Sequence, residues 1–174
     1  MGEIRVYNIE KDKLDFNFNF HPNETNTLHN FLNNNTKPTI NDIRRIALWK
    51  LSRVIDVPEN ILKMLGELAT KKNLNYRDEI SKTTIDALVK CNGVGFPMAS
   101  TILKFLRPDV YPIIDVRAYR VLKGKKIYSS NYNLELYLNY VDEVRSISNQ
   151  TGISFSEVDE QLYMVDKKHN KNIN

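Results

Sequence analysis

The sequence predicts an all-α protein, a compact helical bundle preceded by a short N-terminal strand or extended arm. Three observations predict it. From residue 40 onward the apolar residues recur with helical period. Two pairs, Thr83 with Asp86 and Ser156 with Asp159, have the spacing of N-terminal capping boxes. The one strictly alternating run, Asp15-Phe16-Asn17-Phe18-Asn19-Phe20, is short, and His21-Pro22-Asn23 ends it.

Residues 1–38 read as a partly irregular extension, in which the alternating run is a half-buried strand. Asn33, Asn34 and Asn35 with Lys37-Pro38 form a loop. A helical domain over 39–168 comes next, and 169–174 is a frayed tail. Wound as a helix, residues 40–56 place Ile40, Ile43, Ala47, Leu51 and Val54 on one face, with Trp49 opposite them between Arg45 and Arg53. A second helix covers 58–72, with Pro58 suited to its first turn. Asn73 to Arg77 then lead to a helix over 84–90, capped by Thr83. Beyond the turn at 91–96 a helix runs from Pro97 to Leu106, and Arg107 to Pro112 is a loop with two prolines. Asp115 opens a helix to Lys123. A long helix over 133–149 is closed by Thr151-Gly152, and a last one reaches Lys167. The expectation is seven helices and no internal repeat.

The composition narrows the class of function. A chain of 174 residues, 41% hydrophobic and 26% charged, is long enough for one domain with a real core. Its net charge of +4 and pI near 9.0 suit a polyanionic partner without demanding one. The single cysteine, Cys91, excludes an intrachain disulfide and a four-cysteine zinc or iron–sulfur site. His21, His29 and His169 lack ligand spacing and read as solvated surface. No apolar stretch approaches membrane-spanning length, and the N-terminus lacks the apolar core of a signal peptide, so a cytoplasmic, reducing setting is expected.

One segment carries chemistry. In Leu88-Val89-Lys90-Cys91-Asn92-Gly93-Val94-Gly95-Phe96-Pro97-Met98-Ala99, two glycines flank one apolar residue. They let the backbone turn sharply and approach a ligand with no Cβ in the way. The next helix points its free N–H groups at the turn, which makes an anion site. Pro97 costs little at the start of that helix, because its missing N–H had no helical partner. Val94 plugs the gap between the two helices. The segment has no GxxxxGK[ST] phosphate loop, and it lacks the third glycine and preceding strand of a dinucleotide fingerprint.

Together with residues downstream, this turn resembles a known family. Gly93-Val94-Gly95 and Ala99, then Tyr111-Pro112-Ile113-Ile114-Asp115 and Tyr119-Arg120-Val121-Leu122, are similar to the helix-hairpin-helix DNA glycosylases related to endonuclease III. The similarity covers residues 88–122, and YPIIDVRAYRVL is closest to the branch that removes adenine from mismatches. The resemblance implies double-stranded DNA as partner, a monomeric enzyme without cofactor, and contacts to phosphate from Gly93, Val94, Gly95, Phe96, Met98 and Ala99. It also implies that the hairpin's backbone carbonyls hold a monovalent cation, with no metal bound by side chains. Asp115 matches the family's catalytic aspartate, which stabilises positive charge on the deoxyribose as the base leaves. A fixed carboxylate beside an oxocarbenium-like state lowers the barrier electrostatically. Asp115 also stands where a helix cap would, and the two roles are compatible.

Departures from the family pattern matter as much. Members that also nick the backbone carry a lysine where this chain has Pro97, and proline offers no amine for a Schiff base. Lys90 and Lys104 do not occupy that position. No glutamate lies within 40–56 to act as the general acid of the adenine branch. The expected activity is therefore monofunctional base excision with water as nucleophile. The rival expectation is a hairpin that binds DNA without chemistry. Arg117, Arg120 and Lys123 share one stripe that could track phosphates. Trp49, Arg53 and Tyr111 are candidates for the base pocket or a duplex wedge.

Overall fold

The computed structural model describes residues 5, 8, 10–12, 20–34 and 37–170, and among these every extended regular element is helical. The helices are α1 Pro22–Asn34, α2 Ile40–Lys50, α3 Glu59–Thr70, α4 Glu79–Leu88, α5 Phe96–Leu106, α6 Val116–Lys123, α7 Leu134–Thr151 and α8 Phe155–His169. A 3-10 turn covers Ser129–Asn131. The expected all-α class is what the chain adopts. None of these helices is long and apolar enough to cross a membrane.

The chain divides into two compact units, Met1–Val54 and Ile55–Asn174. The N-terminal extension expected over 1–38 contains α1. The sequence of that helix, PNETNTLHNFLNN, is largely polar and buries Leu28, too little to show a period. The alternating run, except for Phe20, and the tail beyond residue 170 lie outside the described residues.

Within the first unit the expected face of α2 is inverted. Arg45 grips Glu24 of α1 through two hydrogen bonds of 3.1 and 2.9 Å. The Trp49 Nε1 donates to Thr25 Oγ1 at 2.7 Å, and the Phe20 ring meets the indole edge-on at 5.0 Å. The apolar stripe is left outside, with Ile40, Ile43 and Leu51 exposed by 62%, 52% and 69%. A polar and aromatic face satisfied by directed partners thus packs where simple apolar patterning placed the opposite one. A capping box of Thr39 and Asp42 starts α2, and the helix stops at Lys50, not 56. Ser52 takes a left-handed φ of 53°, so Arg53 is not on the helix and does not flank Trp49 there.

The second unit holds the main core, in which Leu68, Ile85, Leu88, Leu103, Ile114, Val141, Val144 and Val158 are buried. Pro58 stands one residue before α3, and Arg107 donates to the Leu68 and Lys71 carbonyls at its far end, at 3.1 and 2.8 Å. A cation there complements the helix dipole. α4 begins at Glu79, ahead of the expected start. Asp78 and Ser81 secure the preceding turn by accepting from Asn75 N and donating to Asn75 O, at 3.1 and 2.7 Å. Thr83 and Asp86 therefore lie inside α4 and form no cap. Ser154, not Ser156, precedes α8, and Asp159 is buried instead of capping.

The α6–α8 contact is closed by a charged clasp. Asp166 is fully buried and accepts from Arg120 Nε and Nη2, both at 2.7 Å, from Arg117 Nη1 at 3.0 Å and from Asn170 Nδ2 at 2.8 Å. The Arg120 hydrogen bonds outweigh burial and hold the Asp166 pKa down to about 2, against an ordinary 3.8. The unfolded chain then binds this proton more readily than the folded one. The stability contributed is full above about 3.8 and is lost as the pH falls through about 2. In thermal unfolding followed by circular dichroism, Asp166→Asn is expected to lower the midpoint at neutral pH. The variant's midpoint should also depend less on pH across that acid window.

Candidate active site

The site is built on the segment that leaves the α5 loop. Proline at 112 biases Tyr111 toward extended backbone, and residues 111–115 form no regular element. An extended segment inside a helical core leaves polar backbone groups to be satisfied by side chains. Tyr137 Oη of α7 donates to Pro112 O and Tyr140 Oη to Ile113 O, each at 3.0 Å. Ile113 N donates to Asp159 Oδ2 of α8 at 2.7 Å, and Ile114 N to Ser100 Oγ of α5 at 3.1 Å. Burial holds both tyrosine pKa values well above 10, so they remain donors.

That segment delivers Asp115. Its backbone is extended at φ −127° and ψ 170°, and its carboxylate accepts from Ala118 N at 2.7 Å, so it caps α6. The same residue lines a cleft of about 300 Å³ with Ile113, Ala118, Asp159, Glu160, Tyr163 and Met164. Burial raises the Asp115 pKa above its ordinary value, and the Asp159 charge adds to the rise. The Ala118 and Arg117 amides and the Arg117 guanidinium oppose it. A carboxylate that is partly desolvated, fixed by a cap and open to a cleft suits the stabilisation of a developing positive charge.

The glycine turn joins α4 to α5. Cys91 N donates to Leu88 O at 3.1 Å and Val94 N to Cys91 O at 3.0 Å, and Gly93 takes a left-handed φ of 76°. Val94 is 3% exposed and sits in the core, whereas Gly93 and Gly95 face solvent. A methyl added at Gly95 would meet Pro97 Cδ at 4.0 Å, so the fold leaves room for a Cβ there. No side chain caps α5, and Pro97 is its second residue rather than its first. Met98 is exposed, Ala99 is buried, and Ala99 N already donates to Gly95 O at 2.8 Å. One hydroxyl joins turn and segment: Ser100 Oγ donates to Pro97 O at 2.9 Å and accepts from Ile114 N. Phe96 stacks on Tyr132 at 6.2 Å, and the buried Tyr132 hydroxyl has no partner among the described residues.

Several expectations about the surroundings are revised. Arg117 and Arg120 are not an open phosphate stripe, because both are bound to Asp166, and Lys123 pairs with Glu143. Tyr111 cannot line a base pocket. It is fully buried, its hydroxyl donates to Ser81 Oγ at 2.7 Å, and burial pushes its pKa to about 12. Trp49 donates its indole N–H to Thr25 Oγ1, and Arg53 lies beyond the end of α2. Sequence reasoning misses Ser100, Tyr137, Tyr140, Asp159 and Glu160 as parts of the site. No group of three metal-ligating side chains occurs among the described residues. Compared with protein-family models, with curated proteins and with solved structures, the chain matches none.

The raised Asp115 pKa has a consequence for stability. The folded protein binds this proton more readily than the unfolded chain, so ionising Asp115 costs stability as pH rises from about 3.8 through the raised folded value. Asparagine caps helices as well as aspartate does and carries no charge. Asp115→Asn is therefore expected to melt higher than the parent at neutral pH, with the difference vanishing below about 3.8. An equal or lower midpoint at neutral pH would show that Asp115 is better accommodated ionised than its surroundings imply.

Proposed function

We propose that this chain is a monofunctional helix-hairpin-helix DNA glycosylase that hydrolyses the N-glycosidic bond of a damaged, mismatched or modified base extruded from duplex DNA. The observation that carries the reading is the placement of Asp115. The residue that the sequence resemblance matches to a catalytic aspartate is partly desolvated, rigidly held and open to a cleft. Its segment is joined through Ser100 to an uncapped, glycine-flanked helix start of the kind that accepts a phosphate.

In the proposed reaction the C1′–N bond breaks and its electron pair leaves with the base, which takes up a proton. The ionised Asp115 stabilises the positive charge left on the sugar. Water then adds to C1′ and loses a proton, giving a free base and an intact strand with an abasic site. Lyase chemistry needs an unprotonated amine at the sugar carbon. Pro97 offers none, and Lys104 Nζ is tied to Asp159 and Glu160 at 2.6 and 2.9 Å, away from any attack on a sugar.

The test is a panel of duplexes carrying different lesions and mismatches, with products split by alkali. The expected result is release of at least one base, with the strand uncut until alkali is added and no covalent adduct trapped by borohydride. Asp115→Asn should reduce excision at least a hundredfold while leaving DNA affinity equal or higher. Full activity in Asp115→Asn would falsify the assignment of that residue. Failure of the wild type on every duplex would leave a hairpin that binds without chemistry.

A second experiment addresses the turn. Gly95 has room for a Cβ but is the N-cap of α5, so Gly95→Leu should fold with a modestly lowered melting point yet weaken binding to all duplexes alike, because backbone contacts to phosphate carry no sequence information. Unchanged affinity, measured by fluorescence anisotropy on a folded variant, would remove the turn from the DNA interface.

A further inference from the structure

Two charges buried beside the cleft are not explained by stability. Lys104 of α5 is 8% exposed and Asp159 of α8 is 3% exposed, and their ends meet at 2.6 Å. Removing two charges from water costs several kcal/mol per ion, and well-packed apolar residues often serve as well or better. What the pair reaches is more telling. One Asp159 oxygen accepts a hydrogen bond from Lys104 Nζ, and the other accepts from Ile113 N at 2.7 Å, two residues before Asp115. Glu160, next along α8, accepts a second hydrogen bond from Lys104 Nζ at 2.9 Å. Asp159 and Glu160 line the same cleft as Asp115.

We propose that Asp159, clamped by Lys104, is a positioning residue for Asp115, fixing the backbone that delivers its carboxylate to the cleft and setting the charge that the carboxylate faces. This rests on the glycosylase reading for its catalytic consequence, but not for its physical content. The groups around Asp115 are Arg117 on α6, Asp159, Glu160 and Tyr163 on α8, and Tyr132 and Tyr140 from the α7 side. Arg117 favours ionised Asp115 and Asp159 disfavours it. Lys104 is bonded to Asp159 and offsets its charge. Without Lys104, Asp159 acts on Asp115 unshielded. Without the Asp159 charge, Arg117 favours ionised Asp115 against less opposition.

The pair therefore predicts opposite responses from two variants, which a purely structural role does not. The experiment is an NMR titration of the Asp115 side-chain carboxyl in the full chain, with no DNA present. Asp159→Asn keeps an acceptor for Ile113 N–H and should move the Asp115 midpoint down, while Lys104→Met should move it up. Lys104→Arg keeps the charge, should leave the midpoint in place, and serves if the methionine variant does not fold. In that case a downward move in Asp159→Asn beside an unmoved arginine variant is the supporting result. No shift in Asp159→Asn, or shifts of the same sign in it and Lys104→Met, would overturn the proposal.

Single-turnover excision separates this inference from the reading beneath it. Asp159→Ala should slow excision at least tenfold with DNA affinity unchanged, and Asp159→Asn should recover part of the rate. Opposite shifts with no excision by the wild type on any duplex would support the positioning role and count against the glycosylase reading. Excision by the wild type with an unaltered rate in Asp159→Ala would overturn the positioning role and leave the glycosylase reading standing.

Discussion

The second unit depends on one constraint, the need to satisfy the backbone of an extended segment buried among helices. Residues 112–114 cannot bond to a neighbouring strand, because none exists among the described residues. Side chains from α5, α7 and α8 take that place: Ser100, Tyr137, Tyr140 and Asp159 each meet one backbone group. A buried polar group left unpaired costs about 1–3 kcal/mol, so each partner is held to its position as firmly as the segment it serves. The result is a loop with the rigidity of a core element, and Asp115 stands at its end. Preorganisation of this kind is what an electrostatic catalyst needs, since a carboxylate already in place has no reorganisation to undergo when charge develops.

Features legible in the sequence are those fixed by neighbouring residues. The left-handed φ at Gly93 and Gly152, the Asp115 cap and the start of α5 all depend on a few positions in a row. Features that are not legible join residues far apart. Arg120 meets Asp166 across 46 positions and Lys104 meets Asp159 across 55, and spacing along one helix cannot show either. Arg117, Arg120 and Lys123 do share the helix α6, but their partners come from α7 and α8. The same holds for α2. Its periodicity marks two faces, and directed bonds to Glu24 and Thr25 select the less apolar one. Asp159 has the spacing of a cap and is drawn inward by a buried ammonium and a backbone amide that lacks a helical partner.

The charge arrangement also limits how DNA could be held at the proposed site. With Arg117 and Arg120 bound to Asp166, the proposed phosphate contact rests on exposed backbone at Gly93 and Gly95 and the uncapped first turn of α5. Such contacts hold a phosphate without reading sequence, and selectivity then belongs to the cleft and to how readily a base leaves the stack. The cleft walls combine carboxylates with Tyr163, Met164, Ile113 and Ala118, a mixed polar and apolar surface.

In the proposed function one DNA molecule engages the glycine turn and the Asp115 cleft together. The most direct measurement is an amide chemical-shift titration with a duplex carrying a tetrahydrofuran analogue of an abasic site, which occupies the site without reacting. The amides of Gly93 to Phe96 and Met98, and those of Asp115 to Ala118, should move along one binding curve. Shifts confined to the turn, with the cleft unmoved at saturation, would contradict it.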